Sequence, residues 1–399
     1  MYKKLSNECL ICSGDLEIAI DLPDLPLTGI YCVSGQDKNT QNFDQELLLC
    51  TNCGHAQIKN IIDVNYMYGE SYGFRTSSSE TASGGSNYFA DFLDSLFPDK
   101  IFNSIVDFGC NDGYLLKLLK QRNKGRQYLG VDLIWEGKES KFEDDQIIIS
   151  GDKIEDIDFN DILGETPDLI VSQHTMEHIE DPKGLLEKLF SNTDDSTIFV
   201  FEFPSFDPLL ENLRFDQIFH QHLHYYSVQS FLKLLGLLDA EPIDYIINYN
   251  YWGSLIIAFK KSKNSDTNIQ IALSKNFPQK DLASVQKRYR LFKKQMELTA
   301  DILDKLKNEI WYGYGAALML PILGYHLKND FSYFKAILDD DSEKDKLDYI
   351  NLQVGIQKPK GINFSEISIL LTAMDNRRPI LKKLSELRPK RIINPLMTM

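Results

Sequence analysis

The sequence lacks any long apolar run, and no stretch approaches the roughly 20 apolar residues that a membrane-crossing helix needs. It also lacks a basic excess: 43 Lys and Arg face 58 Asp and Glu, a formal net charge of −15. A surface of that sign repels nucleic-acid phosphates and anionic lipid, so neither nucleic acid nor membrane is an expected partner. The opening residues, Met1 to Ser6, turn polar and reach Cys9 without an apolar core. That predicts no signal peptide and a cytoplasmic location. In such a reducing compartment the six cysteines are not expected to form disulfides. Internal repeats and long low-complexity tracts are absent too, and 399 residues suffice for two or three domains.

What is present begins with those cysteines. Cys9-Leu-Ile-Cys12 and Cys50-Thr-Asn-Cys53 are two CxxC pairs, and Gly14 and Gly54 follow where a knuckle turns tightly. Four thiolates in two such pairs suit a tetrahedral zinc ion. Because protein fills all four positions, the metal is expected to be structural. His55, just past the second pair, is expected to pack rather than ligate. Cys32 and Cys110 read as small core residues.

A polar stretch from Tyr72 to Glu80 reads as a loop and a candidate lid, with Tyr72 placed to meet a substrate. A helix is expected over 87–96. Apolar strands then alternate with helices: strands at 104–107, 127–132, 147–149, 167–172 and 197–202, with a helix over 114–120. This pattern implies a largely parallel sheet with helices on both faces. After a strand at 254–259 comes a charged, proline-bearing linker, a long amphipathic helix from about 281 to 306, and a second α/β alternation. The expected fold class is therefore α/β, divided into a zinc-binding module at 1–66, a Rossmann-like core at 67–265 and a second, C-terminal Rossmann-like domain at 266–399.

Asp107-Phe-Gly109-Cys-Asn111-Asp-Gly113 lies between a strand and a helix, where glycines let backbone turn sharply against a ligand. The next strand ends on Asp132, which can accept from ribose hydroxyls. Asp152, after the third strand, is a candidate adenine contact. The loop is GxNxG rather than GxGxxG, so the glycines that approach a pyrophosphate are missing. An aspartate opening the motif suits a cationic, phosphate-free cofactor better than a dinucleotide.

In order, two CxxC pairs, a Tyr-Gly-Phe-Arg-Thr loop, the DFGCNDG turn, His174-Thr-Met-Glu177-His178, the FDQIFHQHLHYYS segment and Gly-Tyr-Gly-Ala-Ala follow one another. In this ordered set the sequence resembles the bacterial C-methyltransferases that act on nucleotide-linked deoxysugars. The resemblance covers nearly the whole chain. It implies a structural zinc ion, S-adenosylmethionine at the DFGCNDG turn, a nucleotide sugar lodged largely against the C-terminal domain, and a role in surface-polysaccharide or deoxysugar biosynthesis.

The histidines are concentrated. His174 and His178 stand one helical turn apart, just past the fourth strand, where ligands of open α/β sheets bind. His174 is taken as a cofactor neighbour and His178 as a catalytic candidate. By the resemblance, His222 is the proton abstractor, with His220 a further catalytic candidate and Gln221 facing substrate. Phe219 stands where the family usually has Tyr, and Gln221 where it has Glu. A hydroxyl that could stabilise an enolate and a carboxylate that could orient a histidine are both missing, which leaves carbon and oxygen acceptors open. A catalytically impaired homologue that only binds nucleotide sugar is the alternative. In the C-terminal domain Gly313 and Gly315 could offer backbone N–H groups to a diphosphate. Asp339 could meet ribose and Lys344 a phosphate. The sequence does not decide the oligomeric state.

Overall fold

The computed structural model describes residues 2–34, 41–63, 75–142, 144, 146–249, 251, 253–262 and 275–397. Its centre is a seven-stranded sheet: β1 (Phe102–Phe108), β2 (Gly125–Val131), β3 (Ile147–Ser150), β4 (Leu169–Gln173), β5 (Ile198–Pro204), β6 (Ala240–Asn248) and β7 (Ser254–Lys261). The spatial order is β3-β2-β1-β4-β5-β7-β6. All neighbours through β5 are parallel, while β7 runs antiparallel to β5 and to β6. This is the doubly wound order with a hairpin at one edge. The apolar runs in β1, β4 and β5 follow from burial on both faces: Ile105, Val106, Ile170, Val171, Phe199 and Val200 are fully covered. The expected α/β core is thus observed.

The helix ahead of β1 spans Glu80–Leu96, starting earlier than the sequence pattern suggested. Its first turns carry Thr81, Ser83, Gly84, Gly85 and Ser86, poor helix formers that disguise it. Ser79 caps it by accepting from Ala82 N. Gly85 belongs there because a Cβ would lie 2.6 Å from the Tyr251 ring. The long helix Leu282–Lys305, capped by Asp281, lies where its amphipathic pattern placed it.

Toward the C-terminus five parallel strands form a second sheet, in the order Ile356–Gln357, Ile337–Leu338, Trp311–Tyr314, Ser368–Leu371, Arg391–Ile393. Near the N-terminus Leu16–Leu25, Phe43–Cys50 and Ala56–Ile58 form an antiparallel sheet. Its fourth strand is His224–Tyr225, donated by the segment after β5. Tyr31–Val33 pairs with Leu347–Tyr349. A single apolar cluster runs from Leu47 and Ile58 through Phe215 and Phe292 to Trp311 and Leu370. The N-terminal sheet and the stretch around His222 therefore share one apolar cluster with the C-terminal sheet. Among the described residues no helix is long and apolar enough to cross a membrane.

Candidate active site

Asp107, the last but one residue of β1, is buried, and the following turn has Gly109, Asn111 and Gly113 in the left-handed region, at φ +73°, +47° and +73°. A Cβ on Gly109 would sit 1.9 Å from Thr175 Oγ1, so the turn passes directly against the loop after β4. Asp132, at the end of β2, accepts from Asn111 N at 2.8 Å and Ile134 N at 3.0 Å. Burial raises its pKa, and the two backbone donors oppose that rise. Burial, with Asp132 beside it, also pushes Asp107 well above the usual carboxylate range. Ser77 N donates to Asp112 at 3.0 Å and Thr76 N approaches Asn111 Oδ1 at 3.3 Å, so the segment before the first core helix covers the turn. Asp152 lies exposed after β3, and its carboxylate accepts from Ser150 Oγ at 2.7 Å. Three acids, Asp107, Asp112 and Asp132, converge here. A turn lined by acidic acceptors suits the hydroxyl and ammonium donors of S-adenosylmethionine better than a diphosphate, so these residues fit that cofactor.

Beyond β4 and β5 lies a buried cluster. His174, at φ +52°, places Nδ1 3.5 Å from Glu177 Oε1 and Nε2 3.9 Å from Glu202 Oε1. His178 Nε2 and His222 Nε2 each stand 3.9 Å from the same Glu177 oxygen. Glu177 is 1% exposed. Burial alone would raise its pKa, but His174 and then His178 and His222 outweigh burial and hold it at about 2. Burial likewise would lower His174, and Glu177 and Glu202 instead raise it. The His222 ring packs on Phe219 at 4.2 Å and on His178 at 5.0 Å. Burial drives its pKa down to about 3, so it is neutral at physiological pH. Glu202 accepts from Gln173 Nε2 at 2.5 Å and from Ser254 Oγ, and burial raises its pKa.

His220 is a correction to the sequence reading. It is fully buried, with Nδ1 3.2 Å from Gln45 Nε2 and Nε2 3.1 Å from Leu25 O. Both ring nitrogens serve packing between the N-terminal sheet and the core, leaving none for chemistry. Gln221 also turns toward the N-terminal residues, its Nε2 donating to Thr28 O at 2.8 Å. Sequence reasoning assigned no role to Glu177 or Glu202. The signal for Glu202 was a lone acid inside the apolar strand Ile-Phe-Val-Phe-Glu-Phe.

In the C-terminal sheet Gly315 takes φ +97°, and a Cβ there would meet that of Ala373 at 2.3 Å. Asp339 accepts from Ala316 N at 2.5 Å and Asp341 N at 2.9 Å. Lys344 Nζ donates to Ala316 O at 3.2 Å. Gly313 has Ile337 Cδ1 2.4 Å from its virtual Cβ. These four residues therefore lock one turn together. A cavity of about 520 Å³ opens between the core and this domain, lined by Gly85, Tyr88, Arg214, Tyr251, Arg377 and Arg378 among others. Gly313, Gly315, Asp339 and Lys344 do not line it. Tyr251 joins the cavity to the cluster, its ring 4.9 Å from that of His174. Tyr72 lies outside the described residues.

Away from this site the four N-terminal cysteines converge. Cys9 and Cys53 sulfurs are 3.6 Å apart, and those of Cys12 and Cys50 3.5 Å. Sulfurs at about 2.3 Å from one tetrahedral ion stand roughly 3.8 Å apart, so the cluster fits zinc with little movement. Neighbouring sulfurs draw the Cys50 thiol down and push Cys9 and Cys53 up, as expected where one charge is shared until a cation replaces the protons. His55 packs instead, its Nε2 3.0 Å from His224 Nδ1.

Residues 82–243 match a family model described as "Methyltransferase domain", and residues 9–68 one described as "Putative zinc binding domain". A curated relative, C-methyltransferase NovU of Streptomyces niveus, is 22% identical over 275 residues. That match takes in 67% of this chain and 64% of the relative's own length. Among solved structures, magnesium protoporphyrin IX methyltransferase of Synechocystis PCC 6803, with bound SAM, is 15% identical and has a TM-score of 0.34. The similarity covers 50% of this chain and 89% of that one. An S-adenosylmethionine-dependent methyltransferase from Clostridium acetobutylicum ATCC 824 is 13% identical with a TM-score of 0.36, covering 49% and 97% of the two chains.

Proposed function

From the premise of a methyltransferase domain of the S-adenosylmethionine-dependent class beside a zinc-binding domain, we propose that the chain methylates the sugar of a nucleotide sugar, in surface-polysaccharide or deoxysugar biosynthesis. The observation that carries this reading is the cluster of His174, Glu177, His178 and His222. It sits against the glycine turn through Thr175 and beside the arginine-bearing cavity through Tyr251. Arg377 and Arg378 would hold the diphosphate, and Asp132 the cofactor ribose. When bound, S-adenosylmethionine supplies an electrophilic methyl group on a sulfonium. The residues of the chain hold the acceptor in line with it and exclude water.

His222 is the proton acceptor in this reading. It is neutral and buried, and the imidazolium it forms gains Glu177 at 3.9 Å as counter-charge. Phe219 covers one side of its ring and offers no hydrogen-bond donor, while Gln221 is engaged with Thr28. Carbon methylation beside a ketone needs an oxyanion donor, and losing one typically costs about 100-fold in rate. A hydroxyl acceptor needs none, so these two positions favour oxygen.

The test has two readouts. Mass spectrometry after incubation with S-adenosylmethionine and a panel of nucleotide sugars should reveal a product heavier by one methylene. Without methyl donor in deuterated water, 4-keto sugar nucleotides should show no exchange at the carbon beside the ketone. Rapid exchange abolished by His222→Asn would overturn the oxygen assignment. No methylated product from any nucleotide sugar would overturn the substrate class.

A further inference from the structure

Three side chains of this cluster form an arrangement that proton transfer alone does not require. Glu177 Oε1, His178 Nε2 and His222 Nε2 lie within 4.8 Å of one another, and the carboxylate oxygen is 3.9 Å from each imidazole. Those separations are too long for hydrogen bonds. Ligand atoms about 2.1 Å from one ion stand roughly 3.0 to 4.2 Å apart, depending on the angle between them. Closing the trio on an ion therefore needs only sub-ångström movement.

Two further observations point to a cation. Neither carboxylate oxygen of Glu177 makes a hydrogen bond among the described residues, although the side chain is 1% exposed. His174, 3.5 Å from Oε1, already faces it, but that imidazole also stands 3.9 Å from Glu202, so one cation serves two buried carboxylates and Oε2 is left without a donor. The second is the orientation of His178. Its Nδ1 stands 2.7 Å from Gln221 O, and a carbonyl can only accept, so Nδ1 carries the proton. Nε2 then presents its lone pair toward Glu177. A ligating histidine almost always has its other ring N–H fixed in this way, on a backbone carbonyl or carboxylate. His178 is also the most exposed of the three, at 34% of its side chain, which gives an ion a path of entry.

We propose that Glu177, His178 and His222 bind one first-row divalent cation, separate from the four-cysteine zinc site, and that it leaves coordination positions open toward the acceptor. Two imidazoles and a carboxylate form a nitrogen and oxygen donor set suited to zinc, iron, cobalt or manganese. Four thiolates, by contrast, do not favour manganese. A coordinated hydroxyl or water becomes more acidic and is held in a fixed position. In the acceptor site proposed above, an ion on His222 Nε2 would occupy the nitrogen otherwise taken as proton acceptor, and a hydroxide bound in an open position would instead take the acceptor hydroxyl's proton and become water. The site itself stands without that reading, since ion binding requires neither sugar nor methyl donor.

Titration of Mn2+ into the full-length protein carrying its structural zinc, followed by loss of the free-ion EPR signal, tests the site without substrate. One equivalent should bind wild type. Glu177→Gln and His178→Ala should each weaken binding at least 10-fold while zinc content and the circular dichroism spectrum remain as in wild type. His178→Ala, at the more exposed position, keeps the test valid if Glu177→Gln does not fold. No binding of Mn2+ by wild type at millimolar concentration would overturn the proposal. Unchanged binding in folded His178→Ala would do so equally. If Mn2+ binds while no nucleotide sugar is methylated, the site stands and the substrate reading falls.

Discussion

Asp132→Ala is the sharpest probe of the cofactor site. The carboxylate makes two backbone contacts, 2.8 Å to Asn111 N and 3.0 Å to Ile134 N, and in the cofactor reading it makes a third to a ribose hydroxyl. A hydrogen bond to a charged group is worth about 1.5–3 kcal/mol. At about 1.4 kcal/mol per tenfold, loss of the ribose contact alone lowers S-adenosylmethionine affinity roughly 10- to 150-fold. Releasing Asn111 adds to this, because the turn must then be ordered on binding. Asp132→Asn keeps one acceptor oxygen and should fall at the mild end. Isothermal titration with S-adenosylmethionine and S-adenosylhomocysteine measures both variants. The sign of the pH dependence follows from burial, which raises the Asp132 pKa. Binding needs the carboxylate, so affinity falls as pH drops through that raised value, earlier than for an ordinary aspartate. Unchanged affinity in a folded Asp132→Ala protein would refute the placement of the cofactor.

Elemental analysis should find zinc at the cysteine cluster, one ion per chain for that site, and Cys12→Ser should lose it together with the N-terminal sheet. Because His224–Tyr225 is a strand of that sheet, the loss should also lower the thermal midpoint of the core. Glu177→Gln should alter acid stability. A carboxyl held at about 2 instead of 4.5 contributes stability above pH 4.5 that disappears as pH falls toward 2. Urea midpoints should therefore fall across that window in wild type and change less in the variant, which is less stable at neutral pH. Arg377→Ala should weaken nucleoside-diphosphate binding about 10-fold or more, the value of one charged hydrogen bond, with S-adenosylmethionine affinity unchanged. Equal effects on both ligands in a titration would contradict that assignment.

Short-range chemistry was legible in the sequence. Two CxxC pairs, a glycine turn after an apolar strand and an acid ending the next strand each act through residues a few positions apart. Their local geometry follows from spacing alone. Apolar strand runs were equally readable, since a parallel sheet buries both faces and leaves no alternation to confuse them. The start of the helix at Glu80 was not, because Gly85 answers to Tyr251, a residue far along the chain.

Only tertiary structure could separate His220 from His222, neighbours two positions apart in a segment stitched between domains. One spends its ring on Gln45 and Leu25, while the other meets Glu177. Nothing local distinguishes them, since the difference lies in which side of the segment the N-terminal sheet covers. Glu177 and Glu202 gained their meaning in the same way, as charges that the ends of β4 and β5 bring beside His174. The cavity lined by Arg214, Arg377 and Arg378 likewise exists only where the core packs on the C-terminal domain. Spacing determines what a short motif can bind. Packing decides which distant side chains share a site, because burial and neighbouring charge act through space rather than along the chain.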